Sequence, residues 1–416
     1  MTSYLKLAFK VLGRRKFFTF ISIFGITLTL VVLVVVSAIL DNVFEPRKPE
    51  SRFDRVLRID RLQKKGPHAT ETTNPGYGFV HDYVLNMPGI EAASAYSEME
   101  PIAIYRNNGR SDSKLKKTDA AYWRILDFDF LQGRPFTDDD VARGALVAVI
   151  TDSLAKRLFD KGPALDQNIE IDGQTFRVIG VVPSVPITRW AAYSEVWVPH
   201  TTSKSSEYLH RFMGNYNGLV LAHSRSDFRR LKNEFDTRVK AIPIDEPKVF
   251  TEINAGLDTT FESFARDFTS IPGLRSLGKR HTLIARTVLL VAALFFMTLP
   301  ALNLITLNLS RILERASEIG VRKAFGASRR ALITQFVFEN VVLTLIGGAI
   351  AFVVAVVVIV LLNRFDVIPH ATFDVNLRIF GWGMLIAAFF GIISGVYPAW
   401  RMARFHAVNA LRGGVQ

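Results

Sequence analysis

Residues 17–40 (FFTFISIFGITLTLVVLVVVSAIL) form a run of 24 residues without a charge. At a helical rise of about 1.5 Å per residue, such a run exceeds the roughly 30 Å hydrocarbon layer of a bilayer and reads as a membrane helix. It is too long for a secretory h-region and has no clear small-residue cleavage site after it, so it is expected to be a retained signal anchor. Three further apolar stretches lie at about 284–308, 332–362 and 380–400. Four such runs commit the chain to a lipid environment, and the remaining residues must be organised around that constraint.

Charge sets the orientation, because cytoplasmic loops carry the Lys and Arg excess. Residues 1–40 hold five cations (Lys6, Lys10, Arg14, Arg15, Lys16) and no acid; residues 282–416 hold twelve cations and five acids. The whole chain carries +13, which leaves only +1 for residues 41–281. The N-terminus, the loop with Arg311, Arg315, Arg322, Lys323, Arg329 and Arg330, and the tail with Arg401, Arg404 and Arg412 are therefore expected inside. The near-neutral segment is expected outside. The basic pI of about 9.9 thus reports topology, and no nucleic-acid partner is expected. The absence of cysteine excludes a thiolate zinc site, a CxxC redox centre, an iron–sulfur cluster and any disulfide.

The expected fold class is an α+β membrane protein: four transmembrane helices with a large extracytoplasmic domain, itself a split βαβ porter-like unit plus an inserted β-rich subdomain. The division runs: cytoplasmic amphipathic helix 1–16, first membrane helix 17–40, outer domain with stalk 41–281, second membrane helix 282–309, cytoplasmic loop 310–331, third membrane helix 332–362, short outer loop 363–379, fourth membrane helix 380–400, and cytoplasmic tail 401–416. Within the outer domain, Val56–Ile59, 92–105, 218–223 and 248–253 read as strands, and 78–87 and 227–242 as helices. The insertion, about 106–200, offers strands at 145–150, 168–171 and 175–182, a helix at 153–159, and a strong hairpin turn at Asp172-Gly173.

Enzyme signatures are thin. Gly273 to Lys279 fits G-x-x-x-x-G-K, but Arg280 stands where Ser or Thr must reach magnesium and no strand precedes it, so it reads as a stalk turn. There is no HExxH and no GxSxG, and the eight histidines lack ligand spacing. His81-Asp82 is adjacent on a helix, where side chains are expected to diverge. Asp138-Asp139-Asp140 reads as a solvated turn or helix start in preference to a cation site. No catalytic, cofactor or metal residue is expected in this chain.

The membrane helices say more. Gly383, Ala387, Gly391 and Gly395 recur every four residues, as do Gly347, Ala351 and Ala355. Small residues at that spacing let helices approach closely in lipid, and both packing within one chain and a dimer interface remain open. Pro300 with Asn303 one turn later suggests a kink. Residues 1–16 form a basic amphipathic stretch suited to the bilayer surface. The loop 310–330 carries its own apolar residues (Ile319, Val321, Phe325), which need lipid or a partner protein to bury them.

The run Glu318-Ile319-Gly320-Val321-Arg322-Lys323-Ala324-Phe325-Gly326-Ala327-Ser328 resembles the cytoplasmic segment of FtsX/MacB-type permeases of ATP-binding-cassette (ABC) systems. The tail Tyr397-Pro398-Ala399-Trp400-Arg401 resembles their C-terminal signature. Gly133-Arg134-Pro135-Phe136, 147–150, Asp172-Gly173 and 178–182 resemble the MacB-type periplasmic core domain. Two departures are Ala407, where the family usually has proline, and the lack of a fused ATPase. The resemblance implies a non-catalytic permease subunit in the bacterial inner membrane with both termini cytoplasmic. It implies a homodimer, or a heterodimer with a related permease, above an ABC ATPase subunit dimer that holds the ATP and Mg. Glu318, Ile319, Gly320, Val321, Arg322, Lys323, Ala324, Phe325 and Gly326 would form the coupling segment. A periplasmic adaptor and an outer-membrane channel are further candidate partners. The implied mode is mechanotransmission serving efflux or envelope transport. Lipoprotein extraction, peptide-antibiotic sensing and cell-wall hydrolase regulation are alternatives on the same architecture, and an ATPase-independent sensor or scaffold is a third. Glu339 is read as an interfacial anchor for a cation such as Arg322 or Lys323, or as a plain helix-start residue.

Overall fold

The computed structural model describes residues 13, 16–106, 109–160, 162–269, 282–295, 298 and 328–404. They form two compact units, one of helices and one comprising residues 43–285 with 368–371. Helix α1 (Lys16–Phe44) ends where Pro46 and Pro49 remove amide donors from the next turns.

The strand-rich unit opens with β1 (Val56–Ile59), β2 (Leu62–Lys65) and β3 (Thr70–Pro75), then α2 (Tyr77–Val80), which widens into one π turn at His81–Leu85. Next come β4 (Ala92–Ser97), β5 (Glu100–Arg106), β6 (Gly109–Thr118), α3 (Ala121–Ile125), β7 (Gln132–Gly133), α4 (Asp138–Ala142), β8 (Val147–Thr151) and α5 (Asp152–Phe159). The unit continues through β9 (Asn168–Ile171), β10 (Gln174–Val182), β11 (Val196–Pro199), β12 (Met213–Gly214), β13 (Tyr216–Leu221), α6 (Phe228–Lys240), β14 (Glu252–Ala255) and α7 (Thr260–Thr269).

Both β1 and β4 pair antiparallel with β13, so they run parallel with β13 between them, which is a split βαβ arrangement. Its apolar face holds Leu57, Ile59, Ala95 and Val220 against Phe79, Val80 and Val84 from α2 and its π turn and Leu231, Phe235 and Val239 of α6. The second expected βαβ closes differently. Strand β14 pairs with β2 in a separate four-stranded sheet, β12-β3-β2-β14. Strands β1 and β2 are separated by Asp60-Arg61 and belong to different sheets. Arg58 still exchanges two main-chain bonds of 2.8 Å with Asp258, while Leu62 faces Ala255.

The insertion closes on itself. Strands β6-β11-β8-β10-β9-β5 pair in that order and β5 returns to β6, giving a six-stranded barrel built from residues 100–199. The run expected as one strand over 92–105 therefore breaks at Glu98-Met99: β4 stays with β13 and β5 enters the barrel. Strand alternation sorts the side chains. Ala148, Ile150, Phe176, Val178, Val196 and Val198 fill the barrel with Leu154 and Phe159 of α5, while Val147, Val149 and Trp197 face the outer aromatic layer. A bulge between Val178 and Gly180 resets the parity so that Val181 again points inward. The hairpin turn at Asp172-Gly173 forms as expected, with φ of 51° and 69°.

The helical unit contains α1 and, beyond Arg286, part of α8 (Thr282–Phe295), with α9 (Arg329–Arg364) and α10 (Leu377–Arg404). Among the described residues two spans, α1 and Ile333–Arg364 of α9, are long and apolar enough to cross a membrane. The described apolar parts of α8 and α10, Thr282–Phe295 and Leu377–Ile393, are shorter, so the expectation of four full spans is met by two. Ser328 caps α9 by accepting from the Ala331 amide at 3.3 Å, and Asn376 Oδ1 accepts from the amides of Arg378 and Ile379, both at 3.1 Å, to start α10.

Candidate functional site

Glu318 to Gly326, expected to form the coupling segment, lie outside the described residues, as do residues 1–12, Pro300, Asn303, residues 273–279 and the tail beyond Arg404. Two other regions can be built from the residues upward: the small-residue seam of the helices, and the strap that leads from α1 into the strand-rich unit.

In the seam, α1 offers a stripe of buried residues at near four-residue spacing, Ser22, Ile26, Leu30 and Val34. Gly347, Ala351 and Ala355 lie on α9, and Ala351 and Ala355 are fully buried. A Cβ on Gly347 would lie 3.0 Å from Ile26 Cγ2, and Thr27 Oγ1 donates to the Gly347 carbonyl at 3.0 Å. On α10, a Cβ on Gly383 would lie 2.7 Å from Leu33 Cδ2, and one on Gly391 would lie 2.8 Å from Thr344 Oγ1 of α9. Ala387 packs with Ile26, Leu30 and Ala351, and Gly395 continues α10. Gly347, Ala351, Gly383, Ala387 and Gly391 thus admit neighbouring helices of the same chain to close range. Glu339 is buried on α9, with Gln335 Nε2 donating to its Oε1 at 3.0 Å; the cations named as its partners lie outside the described residues.

The strap, residues 44–52, is tied along its length. Phe44 meets Phe261 at a tilt and Phe264 edge to face, both of α7, at 5.8 and 5.6 Å between ring centres. Lys48 pairs with Asp129, the Asp127 amide donates to Pro49 O at 2.7 Å, and Arg52 Nη1 donates to Arg124 O at 2.7 Å. Arg189, from the loop between β10 and β11, is buried; its Nη1 lies 3.5 Å from Glu50 Oε2 and its Nη2 donates to Glu45 O at 2.7 Å. Burial pushes the Arg189 guanidinium below its ordinary pKa, and the facing Glu50 carboxylate opposes that.

Lys116 on β6 is buried beneath the same loop, donating to Ala191 O at 2.9 Å and to Trp190 O, with its ammonium 5.0 Å from the Tyr96 ring centre. Burial pushes its pKa down to about 7, with Glu98 and Glu50 acting in the opposite sense. Tyr122 OH also donates to Ala191 O, at 2.7 Å. Neither Arg189 nor Lys116 is marked in the sequence, because their partners lie 74 to 144 positions away.

The remaining candidates have structural settings. Asp138, Asp139 and Asp140 start α4 and meet Arg124, Arg143 and Arg134 at 3.0, 2.6 and 2.8 Å. Asp140 closes a capping box with Thr137, and its bond from Arg134 holds its pKa down to about 2. His81 and Asp82 do not diverge: Nδ1 and Oδ1 lie 2.8 Å apart, because on the wide π turn both exposed side chains are free to swing together. Among the described residues no group of three His, Cys, Asp or Glu side chains forms a metal site.

His200, at the end of β11, is buried among Tyr77 and Tyr208, with Nδ1 2.9 Å from Tyr208 OH. Burial lowers its pKa from 6.5 to about 4. The unfolded chain therefore takes up a proton below pH 6.5 that folded His200 refuses until about pH 4, and stability falls as pH falls through that window. The contribution is about 3 kcal/mol at 1.36 kcal/mol per pKa unit. We expect the stability gap between wild type and His200→Gln, read by denaturant unfolding, to shrink by about that amount between pH 7 and pH 4.

The chain matches two family descriptions, MacB-like periplasmic core domain over residues 19–238 and FtsX-like permease C-terminal over residues 290–407. It belongs to the MacB/FtsX family and is an ABC transporter permease of that type, a membrane protein with an extracytoplasmic domain. It is 25% identical over 338 residues to the "Uncharacterized ABC transporter permease YknZ" of Bacillus subtilis, covering 80% of this chain and 79% of that protein. It is 23% identical over 418 residues to "Macrolide export ATP-binding/permease protein MacB" of Haemophilus ducreyi, covering 97% of this chain and 55% of the relative. The Escherichia coli MacB is 28% identical over 301 residues, covering 70% of this chain and 42% of that one. The chain thus spans about half the length of these MacB relatives. Among solved structures, the periplasmic region of MacB from Actinobacillus actinomycetemcomitans aligns with a TM-score of 0.38 at 14% identity, over 53% of this chain and 94% of that one. The extracellular domain of YknZ aligns with a TM-score of 0.35 at 19% identity, over 48% and 98%.

Proposed function

We propose that this chain is the membrane subunit of an ABC system whose ATPase is a separate polypeptide, and that it couples ATP hydrolysis to movement of its outer domain in efflux or envelope transport. In this reading four helices cross the membrane, both termini are cytoplasmic, and two copies, or one copy and a related permease, pair above an ATPase dimer that holds ATP and magnesium. Glu318 to Gly326 dock that ATPase. A periplasmic adaptor and an outer-membrane channel would extend the path across the envelope, as the export named for the MacB relatives suggests.

The observation that carries the reading is the joint match of a periplasmic core domain and a permease domain to one chain. The charge pattern supports it: the excess of +13 sits almost wholly in the flanking segments, as the reading of a cytoplasmic 318–326 segment requires. The chain has no cysteine, so single substitutions report topology cleanly. In intact spheroplasts a membrane-impermeant maleimide is expected to label Asp172→Cys and to reach Arg322→Cys only after lysis. Labelling of Arg322→Cys before lysis overturns the orientation. Co-purification of an ABC ATPase with the full chain tests the partnership.

A further inference from the structure

A cavity of about 590 Å³ lies where β5, β6, the end of β8 and the segment between β10 and β11 meet, and every residue that lines it belongs to the strand-rich unit. Small-molecule pockets run to about 300–1,000 Å³, so the space suits a ligand of that class. Its polar wall is made by Lys114 of β6, Thr151 of β8, Ser153 of α5, and Ser184, Tyr193 and Glu195 between β10 and β11. Ile102 of β5 and Val185 add apolar patches.

Both carboxylates in the wall have partners. Glu195 accepts from Arg157 Nη2 at 2.6 Å and from Ser113 Oγ at 2.8 Å, and Asp112 accepts from Arg110 Nη2 and Nε at 2.9 and 3.1 Å. Lys114 is half-buried, and its ammonium has no counter-ion among the described residues. An ammonium in that setting favours a ligand that brings an acid group to form a charge-assisted hydrogen bond.

The rest of the wall is rich in hydroxyls held in place. The Ser184 amide and Oγ both donate to Asp152 Oδ1, at 2.9 and 2.7 Å; Ser153 Oγ lies 2.8 Å from Ser184 Oγ, and Thr151 Oγ1 lies 3.2 Å from Ser153 Oγ. Each hydroxyl oxygen has two lone pairs, so this row can accept from the hydroxyls of a ligand. The half-buried Tyr193 makes no hydrogen bond through its own hydroxyl among the described residues, and its ring has an apolar face. Accepting oxygens, an apolar ring face and one unmatched ammonium together complement a sugar that carries an acid group.

We propose that this cavity binds an acidic saccharide, a sugar bearing a carboxylate or phosphate, with Lys114 against the acid group and Ser153, Ser184 and Tyr193 against the ring hydroxyls. The site lies within the strand-rich unit, so it stands or falls independently of ATPase coupling.

The test is saturation-transfer difference NMR on the full chain in phosphatidylcholine nanodiscs, with empty nanodiscs as the blank and glucuronate, glucose 6-phosphate and glucose added in separate titrations. At least one acidic sugar is expected to bind about 10-fold or more tightly than glucose, and the tighter of the two identifies the acid group. Lys114→Met is expected to erase that preference, and Tyr193→Phe to weaken the preferred sugar about 3-fold or more while leaving the preference in place. No transfer above the blank, an affinity for glucose equal to that for both acidic sugars, or binding unmoved by both substitutions overturns the proposal. So does inorganic phosphate that displaces the acidic sugar at equal concentration, which marks an adventitious ion only.

Discussion

Replacing Arg322 and Lys323 by glutamate is expected to weaken association with the ATPase partner at least about 30-fold, equivalent to ~2 kcal/mol, and to abolish ATP-dependent function. Four units of charge change within the segment proposed to dock the ATPase, and charged pairs truncated at a protein interface cost about 2–5 kcal/mol when their partners are left buried. The strand-rich unit, far away in sequence, should keep its folded tryptophan fluorescence, so a general folding failure would be visible as such. The informative measurement is ATPase binding and ATPase stimulation by the purified variant in nanodiscs. Wild-type binding and stimulation after double reversal would remove the coupling role assigned to Glu318 to Gly326.

Arg189→Met is expected to destabilise the strand-rich unit by about 3–5 kcal/mol, since it strands the buried Glu50 carboxylate without its partner. Both side chains are almost wholly shielded from solvent, and Arg189 also holds the Glu45 carbonyl at 2.7 Å. Adding Glu50→Gln to Arg189→Met is expected to recover more than half of that loss, because the second change removes the stranded charge. Denaturant unfolding of the three variants checks this through a double-mutant cycle. An Arg189→Met protein as stable as wild type would show that Arg58 or Lys116 already neutralises Glu50.

The two helices of membrane-spanning length were legible because their signal is local and strong: α1 begins one residue before the uncharged run and extends only to Phe44. The Asp172-Gly173 turn was legible because positive φ at two successive residues demands such a pair. Strands β3 and β6 were not, since their sequences TETTNP and GRSDSKLKKT are mostly polar and their place in the sheets comes from partners elsewhere in the chain. The barrel was read only as β-rich, because closure depends on β5 meeting both β6 and β9, which no spacing records. The small residues were found by their interval, whereas the Glu50–Arg189 pair joins positions 139 apart and has no local mark.

The ring of strands β6-β11-β8-β10-β9-β5 has a mechanical consequence. With every stave joined to two others, the drum has no seam along which it can open and no free edge along its wall for a stranger's strand to lengthen. Whatever load reaches it must be carried by turning or tilting the whole body, and whatever companion grips it must do so through its rims and loops.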